Sequence, residues 1–161
     1  MDAASTSPRT CGACGLCCKL MGVAELGKPP RKWCGHFRRG RGCDIYGRRP
    51  DACGAFNCVW LLAANLDETW RPDQAGFLMH SEDGGRRLVV EADPALPQAW
   101  KRSPYLETIR RWAADGERRG VEVLIFVGDR GVRLGPDGAE TPVSRVSAPS
   151  GPARVAGPVS R

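Results

Sequence analysis

The sequence predicts an α+β protein in which an irregular, cysteine-rich module precedes a small antiparallel sheet with one packed helix. All eight cysteines of the 161-residue chain lie between Cys11 and Cys58. The later sequence contains β-prone runs on either side of one amphipathic stretch. Hydrophobic residues make up 42% and charged residues 26%, as in folded globular proteins. We therefore expect a cysteine module over residues 11–60 and an α+β unit over residues 61–143.

The first ten residues are polar and are predicted to be disordered. They lack the apolar core of about 7 to 15 residues that an export signal carries. No stretch approaches the roughly 20 apolar residues that span a membrane. The expected compartment is a reducing cytoplasm, in which cysteines are thiols or metal ligands.

The cysteine module opens with two overlapping Cys-x-x-Cys steps, which share Cys14 and end at Cys11 and Cys17. A gap of two residues lets both sulfur atoms reach one metal ion at about 2.3 Å. Gly12 and Gly15 favour tight, positive-φ turns that point backbone N–H groups at a sulfur. This pattern predicts metal binding.

Cys17 and Cys18 are adjacent, so their side chains diverge by roughly 100° on a helix or point to opposite faces of a strand. One tetrahedral ion does not readily take both. The sequence therefore predicts two four-thiolate centres, or one multinuclear cluster, with this pair divided, and it leaves the pairing of the other cysteines open. The predicted ligands are all eight cysteines: Cys11, Cys14, Cys17, Cys18, Cys34, Cys43, Cys53 and Cys58.

Two kinds of metal cofactor fit these spacings. The first three cysteines match three positions of a bacterial ferredoxin run that binds an iron–sulfur cluster, and Cys-x-x-Cys steps equally suit zinc. Disulfides are the alternative, but a reducing compartment and the strain of bonding adjacent cysteines disfavour them. His36, two residues after Cys34, could add an imidazole ligand, although eight thiolates already complete two sites.

The cysteine region resembles a known family in more than cysteine spacing. Residues 11–18 read Cys-x-x-Cys-Gly-x-Cys-Cys, Cys34-Gly-His36 follows, and Cys-Asp-Ile-Tyr-Gly-Arg-Arg-Pro begins at Cys43. This pattern is similar to that of the CxxCxxCC domain family of bacterial cysteine-cluster proteins, described as zinc- or iron-chelating. The resemblance covers residues 11 to about 60 and implies metal chelation by the cysteines. Some longer proteins with a similar cluster are flagellin lysine methylases, but this chain shows no glycine-rich nucleotide loop, so that activity is not carried over.

Basic residues concentrate in the same region, since residues 11–58 carry nine basic and three acidic side chains. Counter-charge to the thiolates is one role for six of them: Lys19, Arg38, Arg39, Arg41, Arg48 and Arg49. Contact with nucleic-acid phosphates is the rival role, with Trp33, Phe37 and Tyr46 stacking on unpaired bases. For these three aromatic residues, together with Phe56 and Trp60, we expect a place in the apolar core of the module.

The second part is predicted to contain a hairpin, a helix and another hairpin. Strands over Gly76–Ser81 and Arg86–Ala92 flank a loop with two glycines. Strands over Val121–Val127 and Val132–Leu134 form the later hairpin. His80, in the first of these strands, has no chelating neighbour in the sequence and is predicted to be structural.

The predicted helix lies between the hairpins. Ser103 can cap its start, with Pro104 as its first residue, and Gly120 can end it. One face is apolar and carries Leu106, Ile109 and Ala113. We expect this face to pack on the sheet.

The basic tail, residues 144–161, is predicted to be disordered. Nine of its eighteen residues are Ser, Pro or Gly, and none is aromatic. Such a segment buries too little apolar surface to offset the entropy lost on ordering.

No catalytic arrangement stands out in the sequence. The two histidines leave few candidates for general acid–base catalysis near neutral pH, and whether the protein is an enzyme stays open. The predicted function is metal binding, with zinc or an iron–sulfur cluster in a structural, metal-handling or redox role. The alternative is a zinc-stabilised basic module that binds nucleic acid.

Overall fold

A computed structural model describes residues 9–145 and contains both helices and sheets, which confirms the α+β class. Residues 1–8 and 146–161, in the two segments predicted to be disordered, lie outside the described residues. Between residues 9 and 145 no helix has the length and apolar character needed to cross a membrane.

The cysteine module consists of short elements. In chain order they are α1 (Leu16–Leu20), β1 (Phe37–Arg38), β2 (Gly42–Cys43), α2 (Asp51–Ala55) and α3 (Val59–Leu62), with 3-10 turns at Ala24–Leu26 and Tyr46–Arg48. The two strands pair antiparallel. None of these elements exceeds five residues, so they cannot by themselves bury a large apolar core.

Longer elements follow the module. They are α4 (Pro72–Ala75), β3 (Phe77–Glu82), β4 (Arg87–Ala92), α5 (Tyr105–Arg119), β5 (Glu122–Val127), β6 (Arg130–Leu134) and β7 (Glu140–Ser144), with 3-10 turns at Glu68–Trp70, Asp83–Gly85 and Ala99–Lys101. The strands form one sheet in the order β3-β4-β5-β6-β7.

The sheet is mixed, which corrects the antiparallel arrangement that the sequence predicts. β3 and β4 pair antiparallel, as do β5, β6 and β7, but β4 and β5 run parallel. A parallel pair needs a long crossover, and α5 supplies it between β4 and β5. The predicted order of hairpin, helix and hairpin is confirmed. The two hairpins lie side by side in one sheet, where the parallel pairing of β4 with β5 connects them.

Helix α5 covers one face of the sheet with buried residues spaced three or four apart, namely Tyr105, Ile109, Ala113 and Gly116. The predicted stop at Gly120 is confirmed, since this residue has the left-handed backbone typical of a helix end (φ 74°). The predicted start is wrong by one residue. Pro104 precedes the helix, and no side chain caps it, so Ser103 lacks the expected capping role.

The two faces of the sheet bury different partners. The face under α5 carries the largest core, in which Phe77, Val90 and Ile125 from three neighbouring strands meet Trp60 from α3. The opposite face presents Leu78, which packs against Leu16, Leu20 and Met21 from α1 and the residue after it. The cysteine module therefore lies against β3.

Polar contacts also join the module to the sheet. The Lys19 Nζ atom lies 2.8 Å from the Asp93 carboxylate, and Arg31 lies 3.1 Å from Asp129. Arg9 donates to the carbonyl of Trp60 at 2.6 Å, so the folded part includes a residue of the segment predicted to be disordered.

The carboxyl-terminal boundary also differs from the prediction. β7 runs through Ser144, and the Arg145 guanidinium donates to both Glu91 carboxylate oxygens at 2.6 and 2.8 Å. The sequence offers no strand signal here, because β7 is mostly exposed and contains Pro142. An edge strand tolerates proline because one side of it needs no ladder hydrogen bonds.

Candidate metal centre

All eight cysteines line a single cavity of about 80 Å³. Each is a free thiol; Cys58 is buried and the other seven are partly buried. Apolar side chains complete the wall, among them Val23, Ile45, Phe56 and Leu78. The fold thus brings cysteines that span most of the module in sequence to one apolar space.

Local turns place the first four cysteines. The Cys14 N–H donates to the Cys11 carbonyl at 2.8 Å and closes a turn, after which α1 carries Cys17 and Cys18. The Cys34 N–H then donates to the Cys18 carbonyl at 3.0 Å, which brings the middle of the module to α1. Backbone hydrogen bonds therefore order these thiols around the cavity.

Two glycines allow the chain segments to approach closely. A Cβ atom on Gly42 would overlap the Gly12 carbonyl oxygen, and Gly42 also has a positive φ of 92°. A Cβ atom on Gly15 would overlap the Phe37 ring. Gly12 has the expected positive φ (51°), but Gly15 does not (φ −144°). Position 15 therefore requires glycine because a side chain would overlap Phe37, not because of its backbone conformation.

The helix that carries Cys53 is capped from a distant part of the module. The Glu25 carboxylate accepts hydrogen bonds from the N–H groups of Asp51 at 3.3 Å and Ala52 at 2.9 Å. These N–H groups belong to the first turn of α2 and have no partner within the helix. Glu25 thereby fixes α2 beside the cavity.

Cys11, Cys14, Cys17 and Cys58 form a first group by their mutual electrostatic effects. Burial raises the pKa of Cys14 to about 11, and the charge of Cys58 adds to this effect. Burial also raises the pKa of Cys58, with a contribution from Cys11. The pKa of Cys17 is raised by its hydrogen bond to Cys18, by burial and then by several charges, including those of Cys11 and Cys14.

Cys18, Cys34, Cys43 and Cys53 form a second group by the same criterion. Burial raises the pKa of Cys43, and the charges of Cys18 and Cys34 act in the same direction. Burial likewise raises the pKa of Cys53, again with contributions from Cys18, Cys34 and Cys43. Cys43 and Cys53 therefore both sense the charges of Cys18 and Cys34.

The adjacent pair joins the two groups. Cys17 donates a hydrogen bond to Cys18, which lowers the pKa of Cys18 to about 7. The same bond is the largest reason why the pKa of Cys17 is raised. Each of these neighbours is therefore the strongest influence on the pKa of the other.

Two cations lie close to the second group. Lys28 is 8% exposed and lines the cavity, where its Nζ atom donates to the carbonyls of Met21 at 2.5 Å and Pro29 at 3.0 Å. Burial lowers the pKa of Lys28, whereas the charges of Cys34 and Cys18 oppose that shift. The pKa of Cys18 is lowered by its hydrogen bond from Cys17 and then by the charges of Lys28 and Arg49, whereas burial opposes this shift.

Of the six cations predicted as counter-charges, Arg49 is the one that lines the cavity within residues 9–145. Its charge contributes to lowering the pKa of Cys18. Lys19 pairs with Asp93, while Arg38 and Arg41 share Asp44 at 2.9 and 3.4 Å. Sequence reasoning missed Lys28, because nothing in its neighbourhood along the chain indicates that the fold would bury it.

The aromatic residues divide into buried and exposed ones. Trp60 is 5% exposed and belongs to the main core. Trp33 and Tyr46 are 46% and 37% exposed, so the predicted core role is wrong for both. Tyr46 still contributes to the wall of the cysteine cavity, and Trp33 stacks on Phe37 with ring centroids 4.6 Å apart.

Neither histidine lines the cysteine cavity. His36 contacts the cysteines through its backbone, since its N–H donates to the Cys34 sulfur at 3.4 Å. His80 lies on the sheet, with its Nδ1 atom 3.6 Å from Glu82 and its Nε2 atom 3.8 Å from Glu91. The predicted structural place of His80 agrees with this burial between carboxylates.

The carboxylates beside His80 differ in their environment. Glu82 is 2% exposed, its oxygens have no hydrogen-bond partner within the described chain, and burial raises its pKa. Burial pushes the pKa of Glu91 in the same direction, but the hydrogen bonds and charges of Arg145 and His80 together lower it.

The chemistry of the cavity fits a thiophilic metal, because eight unpaired thiols face one mostly apolar space. Among residues 9–145, however, no three or more His, Cys, Asp or Glu side chains converge in an arrangement that could hold an ion. The thiols surround the cavity rather than meeting at one point.

Comparisons with protein-family models, curated proteins and solved structures found no match to this chain. The resemblance to the CxxCxxCC family accordingly stays a prediction from the cysteine pattern.

Proposed function

We propose that this protein binds metal through its eight cysteines, arranged as two four-thiolate centres. The observation that carries the proposal is that all eight thiols line one cavity. The first centre takes Cys11, Cys14, Cys17 and Cys58, and the second takes Cys18, Cys34, Cys43 and Cys53.

The division into two centres is supported by which thiols influence one another, apart from the adjacent Cys17 and Cys18, whose mutual effect crosses it. Cys58 interacts with Cys11 and Cys14 although more than forty residues separate them in sequence. Cys43 and Cys53 interact with Cys18 and Cys34. The divergence of Cys17 and Cys18 supports assigning one to each centre rather than both to one ion.

Zinc and an iron–sulfur cluster are both consistent with four-thiolate donor sets. Zinc would hold the thiolates in one arrangement, and an iron–sulfur cluster would in addition take up and release electrons. The role is accordingly structural, metal-handling or redox. We also propose a reducing cytoplasm as the compartment, because thiols that serve as metal ligands are kept reduced there.

The metal is identified by purifying the protein without oxygen and measuring metal and inorganic sulfide per chain. Zinc gives a colourless protein without sulfide, and an iron–sulfur cluster gives a brown, absorbing one. Fully reduced protein that binds neither metal yet has a stably folded cysteine module would disprove the proposal.

The pairing is tested with two double variants that each remove two thiols. Cys11→Ser with Cys58→Ser affects only the first centre, so half of the metal should remain. Cys53→Ser with Cys58→Ser damages both centres and should remove nearly all of it. Native mass spectrometry of the intact chains counts the bound metal, and equal losses in the two variants would contradict the division.

A further inference from the structure

Several cations of the cysteine module are not used by the fold. Lys32, Arg39 and Arg48 are exposed, and their side chains make no hydrogen bond or ion pair within residues 9–145. Arg38 and Arg41 are exposed as well and share a single carboxylate, that of Asp44. The surface around these residues therefore carries a clear excess of positive charge.

Counter-charge to the thiols does not account for this excess. The buried Lys28 and the cavity-lining Arg49 are the cations that act on Cys18. The unpaired arginines at positions 39 and 48 do not line the cavity. Their charge is directed to solvent and is free to meet an anionic partner.

Two exposed aromatic rings lie among these cations, and each is held by a stacking contact. Trp33 stacks on Phe37 at an interplanar angle of 20°. The Arg49 guanidinium lies 3.8 Å from the centroid of the Tyr46 ring. Such rings lose little conformational freedom when a flat group stacks on their exposed side.

The β1–β2 hairpin brings these groups together. Phe37 pairs with Cys43 in the ladder, and the Asp44 N–H donates to the His36 carbonyl at 2.8 Å. Trp33 is therefore fixed to one strand, while Tyr46 follows three residues after the other. Arg39 lies in the hairpin turn, and Arg48 follows two residues after Tyr46.

We propose that this surface, formed by Lys32, Trp33, Arg38, Arg39, Tyr46 and Arg48, binds single-stranded nucleic acid. Arginine and lysine neutralise phosphates, and exposed aromatic rings stack on unpaired bases. Double-stranded DNA fits less well, because the helices of the module have at most five residues and the β1–β2 strands only two, which is short for reading a major groove. The inference goes beyond metal binding and requires only that the module be folded.

Binding is measured on the full, metal-loaded chain with oligo(dT) and oligo(rU) of about 15 nucleotides. Trp33 is the exposed member of the five tryptophans, all of which lie within residues 9–145. A base stacked on it should quench intrinsic fluorescence, and Trp33→Leu should abolish that quenching and weaken binding about tenfold. Affinity should also fall steeply with salt.

A pair of charge reversals provides the matched test. Arg39→Glu with Arg48→Glu should weaken binding by at least about tenfold. Arg119→Glu with Arg130→Glu changes the net charge by the same amount at exposed positions outside the module. This control pair should weaken oligonucleotide binding less than about twofold. Equal weakening by both pairs would mean a general effect of net charge and would overturn the proposal.

The two proposals can fail separately, because metal content is measured on every sample. Metal-loaded wild type that binds neither oligonucleotide at low salt overturns the nucleic-acid surface and leaves metal binding intact. Binding to heparin or anionic vesicles that matches oligonucleotide binding, without fluorescence quenching, also overturns it. If the arginine pair loses metal, the Trp33→Leu variant decides the outcome.

Discussion

Gly42 shows how a single residue controls the cysteine cavity. Its positive φ and its contact with the Gly12 carbonyl leave no room for a side chain. We expect Gly42→Ala to lower the free energy of unfolding by about 2 kcal/mol or more and to reduce bound metal. Thermal unfolding and metal analysis of the purified variant measure both effects.

Gly47→Ala is the control, because a Cβ atom there would meet no atom within 4 Å and φ is not positive. This variant should be as stable as the wild type and keep its metal. If Gly42→Ala is as stable as the Gly47→Ala control and keeps as much metal, the close approach of Gly12 to Gly42 is not required.

Glu82 and Glu91 should respond to amide substitution in opposite directions. The folded protein lowers the pKa of Glu91 below its ordinary value of 4.5, so its stabilising effect is present above that pH and is lost as pH falls through the folded pKa. Burial raises the pKa of Glu82, so ionised Glu82 costs stability at neutral pH.

At pH 7 we therefore expect Glu91→Gln to lower the free energy of unfolding by about 2 kcal/mol, because Arg145 loses a charged partner. Glu82→Gln should raise it. Urea unfolding between pH 4 and pH 8 measures the stability of each variant against the wild type. The difference from the wild type should shrink toward pH 4 for each variant. A Glu82→Gln variant that is less stable than the wild type at pH 7 would contradict the expectation.

Individual site residues were predictable where their chemistry is encoded locally. The Cys-x-x-Cys steps and the later cysteines mark the thiols that the fold brings to one cavity. Lys28 and Glu25 gave no such signal, since their roles depend on burial and on a helix 26 residues away in sequence. Trp33 was misassigned because aromatic character alone does not show whether neighbouring elements are large enough to cover the ring.

Among the elements, α2 depends on a cap that lies outside it. Glu25→Ala removes the acceptor for the Asp51 and Ala52 N–H groups, and we expect it to cost about 1 kcal/mol of stability. If Cys53 binds metal, the same change should speed metal loss to a chelator. Stopped-flow transfer to a coloured chelator measures this rate.

Glu107→Ala is the matched control, because Glu107 is an exposed acid in the first turn of a helix that carries no cysteine. It should leave the transfer rate unchanged. Equal rates for Glu25→Ala and the wild type would show that α2 does not need its cap to hold Cys53.

Elements with strong periodicity were predictable, and their partners were not. Alternation and turn residues place β3, β4 and α5 nearly at their observed bounds. Nothing in that pattern states that β4 lies beside β5, because strand pairing is decided by the crossover path and the shared core. β7 escaped prediction because an exposed edge strand needs little apolar patterning.

For the molecule as a whole, the structure predicts unequal dependence on metal. The sheet and α5 share a core of large apolar residues, whereas the module has elements of five residues or fewer. Removing metal with a chelator under reducing conditions should release residues 11–55 and leave β3–β6 folded.

Hydrogen exchange followed by mass spectrometry tests this separation. Peptides from the module should lose protection, while those from β4 and β5, which are central in the sheet, should keep it. Loss of protection in both parts at once would mean that the contacts of α1 with Leu78 make the protein a single cooperative unit.

Cys58 occupies the boundary between these two parts. It lines the cavity and also belongs to the core that contains Trp60 and the sheet. On a ribosome, the four thiols of the second centre would emerge before Cys58 does, so that centre could be loaded first. The first centre would be completed later, once the strands have been synthesised and the core can form around Cys58.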